Sequence, residues 1–287
     1  MVHLSYVAYP NALELVRPSQ LKTEAFHHFE ETTQSVLADS LEIAALRRHL
    51  DASLAVFRPA WAALWRWTRA RGIHAPEMGY PNGLAWALLL AGTPVEESPE
   101  LWLEGLFRRL SVHDWRQPLM VSEGHFIPAS QAPMQVFTLS FPHQNATENV
   151  RGPVRHYLET EVEAALEILW AIQRGETTWD DFFAPTSLPF GAGLQIQLRP
   201  SETDGPEDLK AWWTAHLPAF FDALETCGVE SLRPASNWEV QGHALVLHLD
   251  LPAHAAELPG IPAALLQVRE KFAASFPHSQ LHLQWTD

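Results

Sequence analysis

Along the last hundred residues the hydrophobic positions follow two periods. Leu194, Ile196 and Leu198 alternate with Gln195, Gln197 and Arg199, the period of two expected of a half-buried strand. Leu245, Leu247, Leu249 and Leu251 repeat the pattern with Val246, His248 and Asp250 on the other face, and Leu281, Leu283 and Trp285 alternate with His282, Gln284 and Thr286. Between the first two strands, Leu209, Trp212, Trp213, Leu217, Phe220, Phe221 and Leu224 recur at three- and four-residue spacing. That spacing predicts an amphipathic helix over 206–227, kinked or broken at Pro218 because proline removes an intrahelical hydrogen bond. A second helix is predicted after Gly260, with Pro262 in its first turn and Ile261, Leu265, Val268 and Phe272 buried. Residues 237–240 are expected to pair with the following strand through a turn at Gln241 and Gly242. The order strand, helix, strand, strand, helix, strand predicts an α+β fold with a ferredoxin-like (βαββαβ) domain over residues 189–287.

Residues 1–188 read as a larger α+β unit rich in helices, an expanded copy of the same plan. Leu4, Tyr6 and Ala8 suggest a strand, and helical pieces are predicted over 21–56, 59–71, 83–91 and 99–110. Segments 120–127 and 134–141 read as a hairpin. A long helix over 149–174 buries Val154, Tyr157, Leu158, Val162, Ala165, Leu169 and Ile172, while Arg155, Glu159, Glu161, Glu163 and Glu167 are expected on a solvated face. The proline- and glycine-bearing segment 185–193 is the expected linker.

Charge narrows the partners. The chain has 19 Lys and Arg against 34 Asp and Glu, a net charge of −15, which repels a phosphate backbone and excludes nucleic acid as an expected partner. Cys227 is the lone cysteine, so no intramolecular disulfide forms. The longest apolar run, Leu84 to Ala91, is far short of the roughly 20 residues of a membrane helix. A cytoplasmic protein without a membrane partner is expected, and the Asn145, Ala146, Thr147 sequon is read as chance.

Three groups of residues are candidates for chemistry. With the leucines turned to the helices, Gln195, Gln197, Arg199, His248, Asp250, His282 and Gln284 share the opposite face of the sheet, a polar platform suited to a hydrogen-bonding ligand or a protein. Glu24, His27, His28 and Glu31 combine carboxylates and imidazoles at helical spacing, the start of a metal-ligand pattern without its second half. Trp61, Leu64, Trp65 and Thr68 lie on one helical face that reads as core, which leaves Trp67, flanked by Arg66 and Arg69, as an exposed aromatic of the kind found at interfaces.

Signature motifs of the common enzyme classes are missing: no GxGxxG after a strand, no P-loop, no G-x-S-x-G and no H-E-x-x-H. The reading these observations favour is a non-catalytic protein-binding protein, an inhibitor, immunity-type or accessory protein, docking its acidic surface on a basic protein partner and holding no cofactor. The alternatives are an enzyme or binder of small molecules or metal with a His, Asp and Arg site on the sheet or between the domains, and a subunit of a larger assembly.

Overall fold

The structure, a computed structural model, describes residues 31–121, 131–140, 143–185 and 192–286. Helix α1 (Glu31–His49) ends in Arg47, Arg48 and His49, cations that suit the negative end of the helix dipole. A 3₁₀ turn at Asp51–Ser53 separates it from α2 (Leu54–Ala70). The break between the helices therefore falls there and not at Pro59, which lies inside α2. The carbonyl that Pro59 deprives of an intrahelical partner belongs to exposed Ala55, where water can satisfy it.

Helix α3 (Gly83–Ala91) is capped by Asn82, whose side chain accepts from the Ala85 amide at 2.8 Å, and α4 (Pro99–Ser111) by Ser98 with proline in the first turn. Every residue from Ala85 to Ala91 is buried, so α3 is the central rod of the helical part. Helix α5 (Gly152–Gln173) packs on α4, and the one-turn α6 (Trp179–Phe182) begins with a capping box of Thr178 and Asp181. The expected hairpin takes another form among the described residues: Leu119 pairs in parallel with Val136, and Phe137 pairs with Asn145. The strand expected near Leu4 and most of the expected linker lie outside the described residues.

The rest of the chain is β1 (Ala192–Arg199), α7 (Pro206–Thr226), β2 (Arg233–Pro234), β3 (Glu239–Gln241), β4 (Ala244–Leu251), α8 (Ile261–Ser275) and β5 (Gln280–Thr286). Every strand pairing is antiparallel, in the order β2–β4–β1–β5, with β3 extending β2's edge along β4. Ile196 stands opposite both Leu247 and Leu283. Leu194, Ile196, Leu198, Leu247 and Leu249 are buried together with Trp213, Phe221 and Phe272 of α7 and α8. Gly242 closes the β3–β4 turn at φ +64, a left-handed conformation that favours glycine. Helix α7 runs without a break through Pro218, so of the kink or break expected there the break does not occur. The chain as described is a mixed helix and antiparallel-sheet, α+β structure.

The helices and the sheet share one continuous hydrophobic core. Polar groups also cross between them: the Tyr80 hydroxyl donates to the Pro234 carbonyl at 2.7 Å, and the Leu232 amide to the Pro153 carbonyl at 3.1 Å. Arg233 of β2 pairs with Asp250 of β4, its Nε 2.6 Å from Oδ2, and also meets the Tyr157 hydroxyl. Tyr157 donates to Glu161 at 2.5 Å, and Arg71 stands 3.8 Å from the same carboxylate. Glu161 is 0% exposed, so the predicted solvated face holds for the exposed Glu163 and Glu167, while Arg155 and Glu159 pair half-buried and Glu161 lies in the core. Burial pushes the phenols of Tyr80 and Tyr157 well above their ordinary pKa, keeping both as neutral donors.

Candidate functional site

One cavity has a volume of about 560 Å³, within the range of small-molecule sites. Its walls come from α1, from the turn before α3 and from the segment leading into α5. Glu42 of α1 is 1% exposed, yet its carboxylate is fully used: the Leu139 amide, the Ser140 amide and the Ser140 hydroxyl each donate to it at 2.7 Å. Asn145 is equally committed, accepting from the Val136 and Thr147 amides at 3.0 Å and donating to the Met134 carbonyl at 3.0 Å. The Asn145-x-Thr147 pair is therefore a structural turn that shapes the cleft wall.

Asn149 clips the opposite rim, its amide donating at 2.8 Å to the carbonyls of both Pro76 and Tyr80. The starts of α3 and α5 line the same cleft through Asn82 and Arg151. Helix starts carry partial positive charge, and Arg151 adds a full one, held toward Asp222 at 3.4 Å and bonded to the Glu148 carbonyl at 2.9 Å. With Glu42 consumed by donors, the cleft presents two helix starts and the Arg151 guanidinium, itself paired with Asp222, beside the Glu148 carboxylate, a mixed setting in which the helix starts are the part suited to an anionic group. A second cavity of about 530 Å³ lies beside Arg116, Arg155 and Glu225. Its two guanidiniums are already paired, with Asp114 and Glu159.

The residues singled out from sequence distribute as follows. Gln195 stands between His248 and Gln284, and Gln197 opposite His282, so these side chains do share one face of the sheet. Arg199 at the strand end is exposed and donates to Gln197 at 3.2 Å, while Asp250 is committed to Arg233. Trp67 is 0% exposed, against the expectation of an exposed aromatic: it packs between Trp86, Phe107 and Phe182. Trp61 and Trp65, expected in the core, are the half-buried ones. Glu24, His27 and His28 lie outside the described residues, and of Glu31 only its place at the start of α1 is described.

Sequence reasoning missed the cleft. The Asn82 cap and the Arg151, Gly152, Pro153 helix start are legible as local signals, but nothing local brings them together or joins them to Glu42.

Beside the cleft, the His74 imidazole is held below its ordinary pKa, first by burial and then by Arg69, with Glu77 opposing. A depressed folded pKa favours the neutral ring, so the stability it confers is complete above the unfolded value of 6.5 and is lost as pH falls below it. Replacing His74 with Gln should flatten the acid side of the stability profile. Urea midpoints of both proteins between about pH 5 and 7.5 check this, and parallel profiles would refute it.

Comparison with known proteins brings in a family. Residues 56–185 match the family model described as the poly(A) polymerase central domain. A Candida albicans protein named poly(A) polymerase PAPalpha is 24% identical over 174 residues, covering 55% of this chain and 31% of its own length. A Dictyostelium discoideum poly(A) polymerase is 27% identical over 190 residues, 59% of this chain and 23% of the relative. An Arabidopsis thaliana protein named nuclear poly(A) polymerase 1 is 23% identical over 179 residues, 56% of this chain and 25% of the relative. The chain thus spans between a quarter and a third of the length of most of the curated relatives it matches.

These matches overturn two expectations. A non-catalytic inhibitor, immunity-type or accessory protein does not fit relatives that carry the name of an enzyme. The exclusion of nucleic acid falls as well, because poly(A) is one. That exclusion averaged charge over the whole chain, whereas residues 54–76 contain four arginines and no carboxylate. No helix among the described residues is long and apolar enough to cross a membrane, but a relative named as nuclear leaves the cytoplasm unsupported as the specific compartment. The segment from 56 to 185, which forms most of the helical half and most of the cleft, is similar in sequence to the poly(A) polymerase central domain.

Proposed function

We propose that this chain takes part in adding adenylate to RNA ends, with the cleft lined by Asn82, Asn149 and Arg151 holding the adenine nucleotide. The observation that carries the reading is a coincidence of place: the matched segment supplies Pro76, Asn82, Asn145, Asn149 and Arg151, nearly the whole cleft wall. Arg151 and the two helix starts suit the phosphates, and of the rim amides Gln144 is the one left to meet the edge of a base, since Asn145 and Asn149 hold the backbone. Phosphoryl transfer runs on divalent cations held by carboxylates. Among the described residues no group of three or more His, Cys, Asp or Glu side chains is placed to hold one, so this part of the reading is one of binding and orienting substrate, and no chemical step is assigned to it.

The finer fold belongs to the same proposal. We read 189–287 as a ferredoxin-like domain and 1–188 as the helix-rich domain that carries the cleft. The sheet order β2–β4–β1–β5 and the two helices between its strands support the first assignment. The polar sheet face with Gln195, Gln197, Arg199, His248 and His282 presents hydrogen-bonding groups outward, as a secondary contact surface. RNA is found in both nucleus and cytoplasm, and the reading places the chain in either.

Calorimetric titration with ATP tests the cleft. The Arg151→Ala variant should bind about 10-fold more weakly or worse, the order of losing a charge-assisted hydrogen bond. Absence of ATP binding by the unaltered chain, or equal affinity in the variant, would overturn the assignment.

A further inference from the structure

Helix α2 carries a surface feature that the cleft does not use. At about 100° per residue, Arg58, Trp61, Trp65 and Arg69 fall within an arc of about 80° on one side of α2, a stripe about 16 Å long. Both arginines are exposed and both indoles half-buried. The indole planes lie 25° apart with centroids at 5.7 Å, and His74 meets Trp65 edge-on at 6.1 Å. Arg69 is near enough to His74 to lower its pKa. Arg66 lies off the stripe, engaged over the Phe183 ring at 4.1 Å. The stripe ends at the cleft, for the Trp65 ring lies against Gly83, between the cleft residues Asn82 and Leu84.

In a chain of net charge −15, a segment of 54–76 with arginines and no carboxylate is a local inversion of sign. Partly exposed indoles between guanidiniums are what a single-stranded nucleic acid needs: flat apolar surfaces for unstacked bases and cations for the phosphates. A basic protein, the partner that the whole-chain charge favours, would be repelled here.

We propose that Arg58, Trp61, Trp65 and Arg69, with His74, form a stacking track for single-stranded RNA that delivers the strand to the cleft. The bases lie on Trp61 and Trp65, and Arg58 and Arg69 hold the backbone at either end. The direction of the track rests on the nucleotide reading of the cleft, but RNA binding by the stripe does not.

The test is fluorescence anisotropy of a labelled oligoadenylate with the full chain, a double variant Trp61→Ala/Trp65→Ala and a double variant Arg58→Gln/Arg69→Gln, with thermal melts to verify folding. The tryptophan pair should weaken binding about tenfold or more, the order that losing a base–aromatic stack brings. The exposed arginine pair, whose loss leaves the core untouched, should reduce the slope of log affinity against log salt by about 1.4. An RNA duplex of the same length should bind more weakly than the single strand, since its bases are not free to stack. Unchanged RNA affinity and salt slope in folded variants would overturn the proposal, as would failure of the unaltered chain to bind RNA. Retained RNA binding with a loss of binding to a protein would overturn it too and assign the stripe to that protein. Titration of the unaltered chain with ATP reports on the cleft separately, so absence of ATP binding with an intact RNA effect removes the nucleotide reading and leaves the track standing.

Discussion

Replacing Trp67 with alanine should destabilise the folded chain by about 3–5 kcal/mol, the cost of removing a large aromatic from a packed core. Trp67 has no solvent exposure, and its ring sits 4.8 Å from Phe107, 5.8 Å from Trp86 and 6.2 Å from Phe182 by centroid. It therefore ties α2 to α3, α4 and α6 at once, and the space left by its indole is walled by rings from separate elements that cannot all close in. Trp65→Ala, two residues away on the solvent side, should cost far less, because much of its burial is against Gly83 and His74 at the surface. Equilibrium unfolding in urea separates the two. Equal midpoint losses would mean that the assignment of core and surface faces to α2 is wrong. Against a total stability of about 5–15 kcal/mol for an ordinary protein, a loss of that size removes a large share and should appear as a clearly lowered urea midpoint.

The same pair of tryptophans shows what was legible in the sequence and what was not. The spacing of Phe57, Leu64, Trp67 and Thr68, all buried, and that of Trp61 and Trp65 are both helical, and periodicity alone does not say which face meets the core. Of the expected inner face of Trp61, Leu64, Trp65 and Thr68, Leu64 and Thr68 are buried and the two indoles are not, because the core side of the helix is rotated toward Phe57 and Trp67. The distinguishing signal was Arg58 and Arg69, in phase with Trp61 and Trp65, since a guanidinium marks the solvent side. In β1 no such ambiguity arose: Gln195 and Gln197 are polar and Leu194 and Ile196 are not; elsewhere the sheet departed from the pattern, with β2 at Arg233–Pro234 unforeseen and Val246, across from Gln197, buried.

The cleft was less accessible to sequence for a physical reason. Its walls join Glu42 to Ser140 and Asn149 to Pro76, contacts between distant segments that leave no local period. The whole-chain charge misled in the opposite way, by hiding a positive helix inside an acidic average. Glu161 shows a third kind of loss. It occupies the apolar phase set by Val154, Tyr157, Leu158, Val162 and Ala165, but a glutamate among other glutamates on a helix reads as solvated unless its phase is weighed above its chemistry.

That phase underlies the second large effect. Glu161→Ala should cost about 3–5 kcal/mol, because it strands the Arg71 guanidinium in the core without its counter-charge. Arg71 has a side chain 5% exposed and Glu161 none, and Arg71 has only a long hydrogen bond of 3.5 Å to the Phe182 carbonyl besides. The loss extends further, since Tyr157 donates to Glu161 and bears on Arg233, the β2 residue that holds Asp250. Removing the carboxylate thus loosens the seam where α5 meets the sheet, whereas a fully solvated surface pair such as Arg174 and Glu176 adds little because water screens it. The control is the double variant Arg71→Met/Glu161→Leu, which removes both charges together and should recover most of the loss, because a buried ion pair and a packed apolar pair of like volume are similar in stability. If the double variant is as unstable as Glu161→Ala alone, the cost comes from lost packing and not from a stranded charge. Recovery in the double variant would establish that this network joins the helices to the sheet without adding much to net stability, so that its contribution is to fix how the two meet.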